Sequence, residues 1–197
     1  MDATADDVEL MRRSKEGDSE AFAVIVQRHK GWLQRLFYHL FWDWEEAQDA
    51  TQEVLVRVWL ARERYEPRAR FRTYLFAVAR NYWLNRQARS NCRPRALSLQ
   101  EQFSPETLSL LEKMAGDSPS PEDAVIRSYE RFRIRRAVSG LPEKQRLVFI
   151  LSHFEDLRYA EIAELLDIPV GTVKSRMSHA VQALRDELTE EEGSVLR

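Results

Sequence analysis

The sequence predicts an all-α protein: two small helical domains joined by a flexible linker, the C-terminal one a helix-turn-helix. Three observations carry this. Apolar residues recur at helical spacing over residues 4–90 and again over 125–188, with no convincing strand-like alternation and no internal repeat. Between these blocks stand Pro94, Pro105, Pro119 and Pro121 among scattered serines, with one short helical piece near Leu108–Met114. The third observation is the stretch Leu141–Leu188, which divides into two helices around a tight turn at Asp167–Gly171. The boundaries read from this punctuation are 1–90, a linker at 91–124, a second domain at 125–191 and an acidic tail at 192–197. Within the first block the helical pattern is expected to break at Gly17–Asp18, at Gly31 and around Pro67.

The last helix separates most clearly into faces. Met177, Ala180, Leu184 and Leu188 fall within about 60° of Val173 at roughly 100° per residue. Thr172, Ser175, Ser178, His179 and Gln182 fall opposite, and Lys174, Arg176 and Arg185 lie on the flanks. Short polar groups at the centre with cations at the edges suit a helix in a DNA major groove, where the centre meets bases and the rims meet phosphates. An amphipathic helix with a solvated face has the same periodicity. The preceding short helix Tyr159–Leu166, the turn and the Gly-Thr start favour DNA.

Composition excludes more than it identifies. The chain has 197 residues, a formal net charge of −2 and one cysteine, Cys92, so internal disulfides and cysteine-rich zinc patterns are ruled out. No apolar run approaches the roughly 18 residues of a spanning helix, and no signal peptide opens the chain, so a cytoplasmic location without membrane insertion is expected. Charge is segregated. Asp43, Glu45, Glu46, Asp49 and Glu53 form an acidic block; eleven arginines between Arg57 and Arg95 face only Glu63 and Glu66, a net +9; Leu99–Ala124 is net −5. Such blocks either meet different partners or form solvated faces.

Around Glu45–Arg62, Ala47, Ala50, Val54, Val58 and Ala61 form a core stripe. Asp49, Gln52, Glu53, Val56 and Leu60 line a different face, polar at one end and apolar at the other. That mixture suits docking on another protein, since apolar anchors give affinity and charges fix register; a second packing face within the domain is the alternative. In the helix Phe71–Arg89, Tyr74, Asn81 and Asn85 share a stripe, with Phe71 and Tyr82 beside it and the arginine-rich turn Tyr65–Arg70 before it. Aromatics, amides and arginines are the materials for holding single-stranded nucleic acid, although helix aromatics also commonly serve as core. Phe37, Tyr38, Phe41, Trp42 and Trp44 read as packing residues.

Along almost its whole length the chain resembles the extracytoplasmic-function (group IV) sigma factors of bacterial RNA polymerase. The matching segments are DATQEVLVRVW at 49–59, FRTYLFAVARN at 71–81 and LPEKQRLVFIL…YAEIAELLDIPVGTVKSRM at 141–177. The resemblance implies a promoter-specificity subunit. Its first domain would dock on the clamp helices of core polymerase and open the minus-10 element, and its second would read the minus-35 element on the polymerase flap. It implies polymerase contacts at Asp49, Gln52, Glu53, Val56 and Leu60, and minus-10 contacts at Tyr65, Arg68, Arg70, Phe71, Tyr74, Arg80, Asn81 and Asn85. It also implies minus-35 contacts at Thr172, Lys174, Ser175, Arg176, Ser178 and His179, with Arg146 and Arg158 as further phosphate contacts. Core RNA polymerase, promoter DNA and an anti-sigma factor are the implied partners, with no cofactor and no metal.

The chain departs from the family pattern in places. Ser178-His179-Ala180-Val181 replaces an arginine-rich run, which predicts weaker or differently specified minus-35 binding and a shallower salt dependence. Pro169 stands where a capping serine is common, Arg158 where a small hydroxyl residue is common and Tyr74 where tryptophan is common. An enzyme is not expected: G-x-x-x-x-G-K, G-x-S-x-G and H-E-x-x-H are all absent, and the four histidines lack metal-ligand spacing. The rival readings are a stand-alone helix-turn-helix regulator binding duplex DNA as a dimer, and a protein-interaction adaptor.

Overall fold

The computed structural model describes residues 6–90 and 121–195, with side chains over 6–88 and 129–189. Among these residues there are eight α-helices, one 3₁₀ turn and no strand. The first bundle holds α1 (Asp7–Lys15), α2 (Ser19–Phe41), α3 (Trp44–Leu60), the 3₁₀ turn Arg62–Arg64 and α4 (Phe71–Ser90). The second holds α5 (Pro121–Gly140), α6 (Glu143–His153), α7 (Tyr159–Leu166) and α8 (Val170–Val195). Most of the segment read as linker, including Cys92 and the helical piece near Leu108–Met114, lies outside the described residues. Its final residues do not: α5 begins at Pro121, as proline in a first helical turn gives up a donor that has no intrahelical partner. At the other end α8 continues to Val195, through most of the segment read as tail.

Aspartates start the first three helices. Asp6 accepts from Asp7 N–H at 2.8 Å, Asp18 from Ala21 N–H at 3.0 Å and Asp43 from Glu46 N–H at 2.9 Å. Each satisfies a donor that the helix leaves free. We expect Asp43→Ala to lower the stability of the bundle by about 1 kcal/mol, read as a drop of several degrees in a thermal melt. An unchanged melt would mean that water caps α3 equally well. Gly17, at φ 97°, turns the chain between α1 and α2. Gly31 does not break the helix as expected. It sits exposed inside α2, where Trp32, Leu33, Leu36 and Phe37 are buried, and their packing outweighs the roughly 1 kcal/mol propensity cost of one glycine. The break comes instead at Trp42, which ends α2 in the left-handed region at φ 57°.

The core of the first bundle is Leu10, Met11, Ile25, Leu33, Leu36, Phe37, Val54, Val58, Leu75, Phe76 and Trp83, all essentially without solvent contact. Two buried hydroxyls interrupt it harmlessly. Ser14 Oγ donates to Leu10 O and Thr51 Oγ1 to Ala47 O, both at 2.7 Å, so neither carries an unmet hydrogen bond. The second bundle is built on Val138, Val148, Ile150, Leu151, Ile162, Val173 and Ala180. Helix α7 has the bounds read from sequence. The turn after it is shorter than expected, ending at Pro169: Asp167 adopts the left-handed conformation (φ 52°) that aspartate tolerates, and Ile168 N–H donates back to Ala163 O at 3.1 Å. Gly171 therefore lies within the first turn of α8, whose opening carbonyl is that of Pro169, accepting from Thr172 and Val173.

Candidate nucleic-acid and protein-docking surfaces

On α3 the two stripes separate as the spacing predicts. Ala47, Ala50, Val54 and Val58 are buried, while Asp49, Gln52, Glu53, Val56 and Leu60 are all exposed. Leu60 keeps 70% of its surface in water and Val56 keeps 51%. Glu53 pairs with Arg57 at 2.8 Å, a solvated i,i+4 pair that adds little to stability. The stripe is therefore an outward face with its apolar end uncovered.

On α4 the expected residues divide. Asn81 and Asn85 are exposed, and Tyr74 is half-buried on the same side of the helix. Phe71, at 2% exposure, and Tyr65 are buried and belong to the core. They form an aromatic cluster with Tyr74, whose ring centroid lies 5.0 Å from that of Tyr65 and 6.0 Å from that of Phe71. Burial pushes both tyrosine hydroxyls above their usual pKa range. Phe71 and Tyr65 as placed cannot offer a ring face to a base; they support the one that Tyr74 can. Arg68 and Arg70 are exposed on the turn before α4, Arg68 paired with Glu66 at 2.6 Å. Arg80 is half-buried.

Much of the arginine run has a structural task that sequence reasoning missed. Arg57 lies over the Tyr82 ring, Arg62 over Trp59, Arg72 over Trp32 and Arg86 over Phe41, at 4.0–5.5 Å from the ring centroids. Arg86 also pairs with Glu46 at 3.0 Å. Only for Arg62, three residues after Trp59, was a signal available in the sequence.

Helix α8 presents the division read from its periodicity. Val173 and Ala180 are fully buried, Met177, Leu184 and Leu188 are partly buried, and Ser175, Ser178, His179 and Lys174 are exposed. Thr172 and Arg176 are half-buried at the rim. Ser175 Oγ donates to Thr172 O at 3.1 Å, a bond it can exchange for a base edge. Helix α7 is held across the turn by its own apolar face, Ile162, Ala163, Leu165 and Leu166. Glu161 accepts from Arg158 N–H at 2.8 Å and so fixes the start of α7.

Arg158 is exposed, as a phosphate contact needs. Arg146 is not placed as expected. Its guanidinium donates to the carbonyls of Ser139 and Leu141 and lies over the Trp83 ring at 5.8 Å, in surroundings dry enough to lower its pKa from the usual arginine range. It holds the turn between α5 and α6 and has no path to DNA in this arrangement.

Among the described residues no group of three His, Cys, Asp or Glu side chains is placed to hold a metal ion, and no helix is long and apolar enough to cross a membrane. The helix-turn-helix, with a second helical bundle carrying an outward stripe of carboxylates and aliphatics and an aromatic-amide face, defines a protein of the Sigma-70 class. Residues 25–91 match the Sigma-70 region 2 family and residues 131–184 match Sigma-70, region 4.

The chain is 32% identical over 178 residues to the ECF RNA polymerase sigma factor SigW of Bacillus subtilis (strain 168), covering 90% of this chain and 94% of that one. It is 30% identical over 183 residues to the RNA polymerase sigma-H factor of Pseudomonas aeruginosa, covering 90% and 91%. The same fold occurs in CnrH, solved in complex with the cytosolic domain of CnrY (TM-score 0.62, 20% identity, 94% of this chain and 97% of that one). It also occurs in the sigma factor RpoE of Bartonella quintana, solved with the anti-sigma factor NepR (TM-score 0.56, 20% identity, 85% and 96%). The chain belongs to the extracytoplasmic-function sigma factors; it is an alternative sigma factor.

Proposed function

We propose that this chain docks on core RNA polymerase through Asp49, Gln52, Glu53, Val56 and Leu60. The polymerase so equipped reads minus-10 DNA with α4 and minus-35 DNA with α8. The observation that carries this reading is the paired exposure of the α3 stripe and of the polar face of α8: two outward surfaces of different chemistry on one chain. Carboxylates beside bare aliphatics suit a protein partner. A polar face edged by Lys174 and Arg176 suits a major groove.

Within α4 the reading rests on Asn81, Asn85 and Tyr74, with Arg68 and Arg70 as phosphate contacts and Tyr65 and Phe71 as the floor beneath Tyr74. A base leaving the stack would lie against the Tyr74 ring and present its edge to the amides, so that capture of the base and strand opening become one event. The bond-making chemistry belongs to the polymerase. An anti-sigma partner is supported by RpoE, solved with the anti-sigma factor NepR, and a cytoplasmic location follows from a polymerase partner.

Run-off transcription with bacterial core polymerase on a pooled promoter library tests the whole reading. New start sites sharing two spaced elements are expected. Specific duplex binding by the free chain as a dimer, with no polymerase-dependent transcript, would favour the stand-alone regulator instead. One residue tests the division of labour. Asn81→Ala should reduce promoter opening, read by permanganate reactivity of unpaired thymines, about tenfold while leaving affinity for core polymerase unchanged. Equal loss of both would remove Asn81 from base capture.

A further inference from the structure

The aromatic floor beneath Tyr74 has a support of its own, supplied by α2. There Ile25, His29, Trp32 and Leu36 follow one another at helical spacing. Ile25, Trp32 and Leu36 are buried, as an apolar stripe facing the core should be, and His29 is the one titratable member of the stripe. Trp32 packs against Phe76 of α4 at 6.4 Å and carries the Arg72 guanidinium at 4.7 Å. One turn earlier the His29 ring meets Phe71, the first residue of α4, at 5.2 Å and 55°. Phe71 in turn meets Tyr74 at 6.0 Å and 47°.

The His29 ring is fixed from α1. His29 Nε2 lies 2.8 Å from Asp7 Oδ2, and the other oxygen of the same carboxylate accepts from Arg28 Nη1 at 2.8 Å. A carboxylate only accepts, so the proton of the first bond sits on His29 Nε2 and the ring cannot turn without breaking that bond. The His29 side chain is 12% exposed and that of Asp7 20%, so water competes weakly for it. Asp7 opens α1 and stands 22 positions before His29 in the chain. Its neighbour Asp6 caps the same helix. Both aspartates also act on Tyr65, whose hydroxyl is pushed up by burial first, then by Tyr74, Asp6 and Asp7. The start of α1 therefore borders the whole aromatic cluster.

We infer that Asp7 and His29 are positioning residues for base capture: Asp7 holds the His29 ring, that ring holds Phe71, and Phe71 sets the tilt at which Tyr74 meets a base. The inference rests on the reading of Tyr74 as the ring against which a base leaving the stack lies. Tilted ring pairs at these separations depend on orientation as well as on area, because the edge of one ring meets the face of the next. A base gains most from a ring already turned toward it, since a pre-set group needs no ordering on binding. A contact that merely fastened α1 to α2 would need a hydrogen bond and no ring, and the ion pair of Arg28 with Asp7 already fastens them. The ring is explained by what it touches, which is the first residue of the helix assigned to minus-10 DNA.

The test uses the full chain with core polymerase on a promoter recovered from the run-off library. Opening is read by permanganate reactivity, with polymerase affinity and thermal melts measured beside it. His29→Gln keeps a donor for Asp7 and removes the ring. It should melt and bind polymerase like the parent chain, yet open the promoter about three- to tenfold less well. Full opening by this variant would mean that the hydrogen bond alone matters, and would overturn the inference. Tyr74→Ala should reduce opening about tenfold. Adding His29→Gln to it should cost nothing further, because a ring that acts through Tyr74 has no effect once Tyr74 is gone. Losses that multiply in the double variant would place His29 outside the path to Tyr74 and overturn the inference. Asp7→Ala, which frees the His29 ring to turn, should also reduce opening, and Asp7→Asn, which keeps an accepting oxygen, should open the promoter like the parent. Full opening by Asp7→Ala would remove Asp7 from the chain of support. Full opening by Tyr74→Ala would instead sink the base-stacking reading itself, and the positioning with it.

Discussion

Trp83→Ala is expected to cost the first bundle about 3–5 kcal/mol, most of the net stability of a domain this size. Trp83 is the largest of the fully buried side chains and lies in the middle of α4. Its removal leaves a cavity among residues that cannot all collapse into it, because Phe37, Phe76 and Leu75 are already buried in the same cluster. It also strips the Gln87 amide of one donor and the Arg146 guanidinium of the ring beneath it. Trp83→Phe keeps most of the apolar volume and should cost less than half as much. Denaturant melts of both variants decide the matter. A loss near 1 kcal/mol for the alanine variant would mean that α4 is held mainly by its other contacts.

Trp83 also marks where sequence reasoning runs short. Its helix could be placed from periodicity, and so could the outward stripe of α3, the bounds of α7 and the two faces of α8. In each of these an apolar stripe of one period meets one core, and the period alone says which side faces inward. On α4 aromatic residues occupy several faces, because the helix packs against its own bundle on one side and against the second domain on another. Periodicity cannot distinguish a ring held for bases from a ring held for a neighbouring helix, and the DNA contacts that the resemblance implies at Phe71 and, just before the helix, at Tyr65 fall on buried rings.

The same ambiguity affects arginine. Arg57, Arg62, Arg72 and Arg86 read as a basic surface by charge, yet each guanidinium rests on an aromatic ring, and for Arg57, Arg72 and Arg86 that ring is distant in sequence and reaches it only on folding. For Arg146 the family resemblance implies a phosphate contact. Its burial depends on a contact with residue 83, which no local pattern encodes. Trp42 shows the limit for backbone: tryptophan carries no turn signal, yet here it caps α2 in the left-handed region, its N–H donating to Tyr38 O and its ring packed among Tyr38, His39 and Phe154.

Reversing the charge or polarity of the α3 stripe is expected to weaken core-polymerase binding at least about tenfold, or roughly 1.4 kcal/mol, for Glu53→Arg and for Leu60→Asp alike. Neither change should disturb the fold. Glu53 gives up only a solvated pair with Arg57, and Leu60 is uncovered, so its replacement opens no cavity. The two substitutions probe different parts of one surface. Glu53→Arg removes an electrostatic contact and should act partly on the association rate, with an effect that shrinks as salt rises. Leu60→Asp removes an apolar anchor and buries a charge in its place, so it should act on dissociation and depend little on salt. Competition binding to core polymerase at two ionic strengths, beside thermal melts of both variants, separates these effects. If affinity held for both variants while the melts matched the parent chain, polymerase would have to dock elsewhere on the molecule.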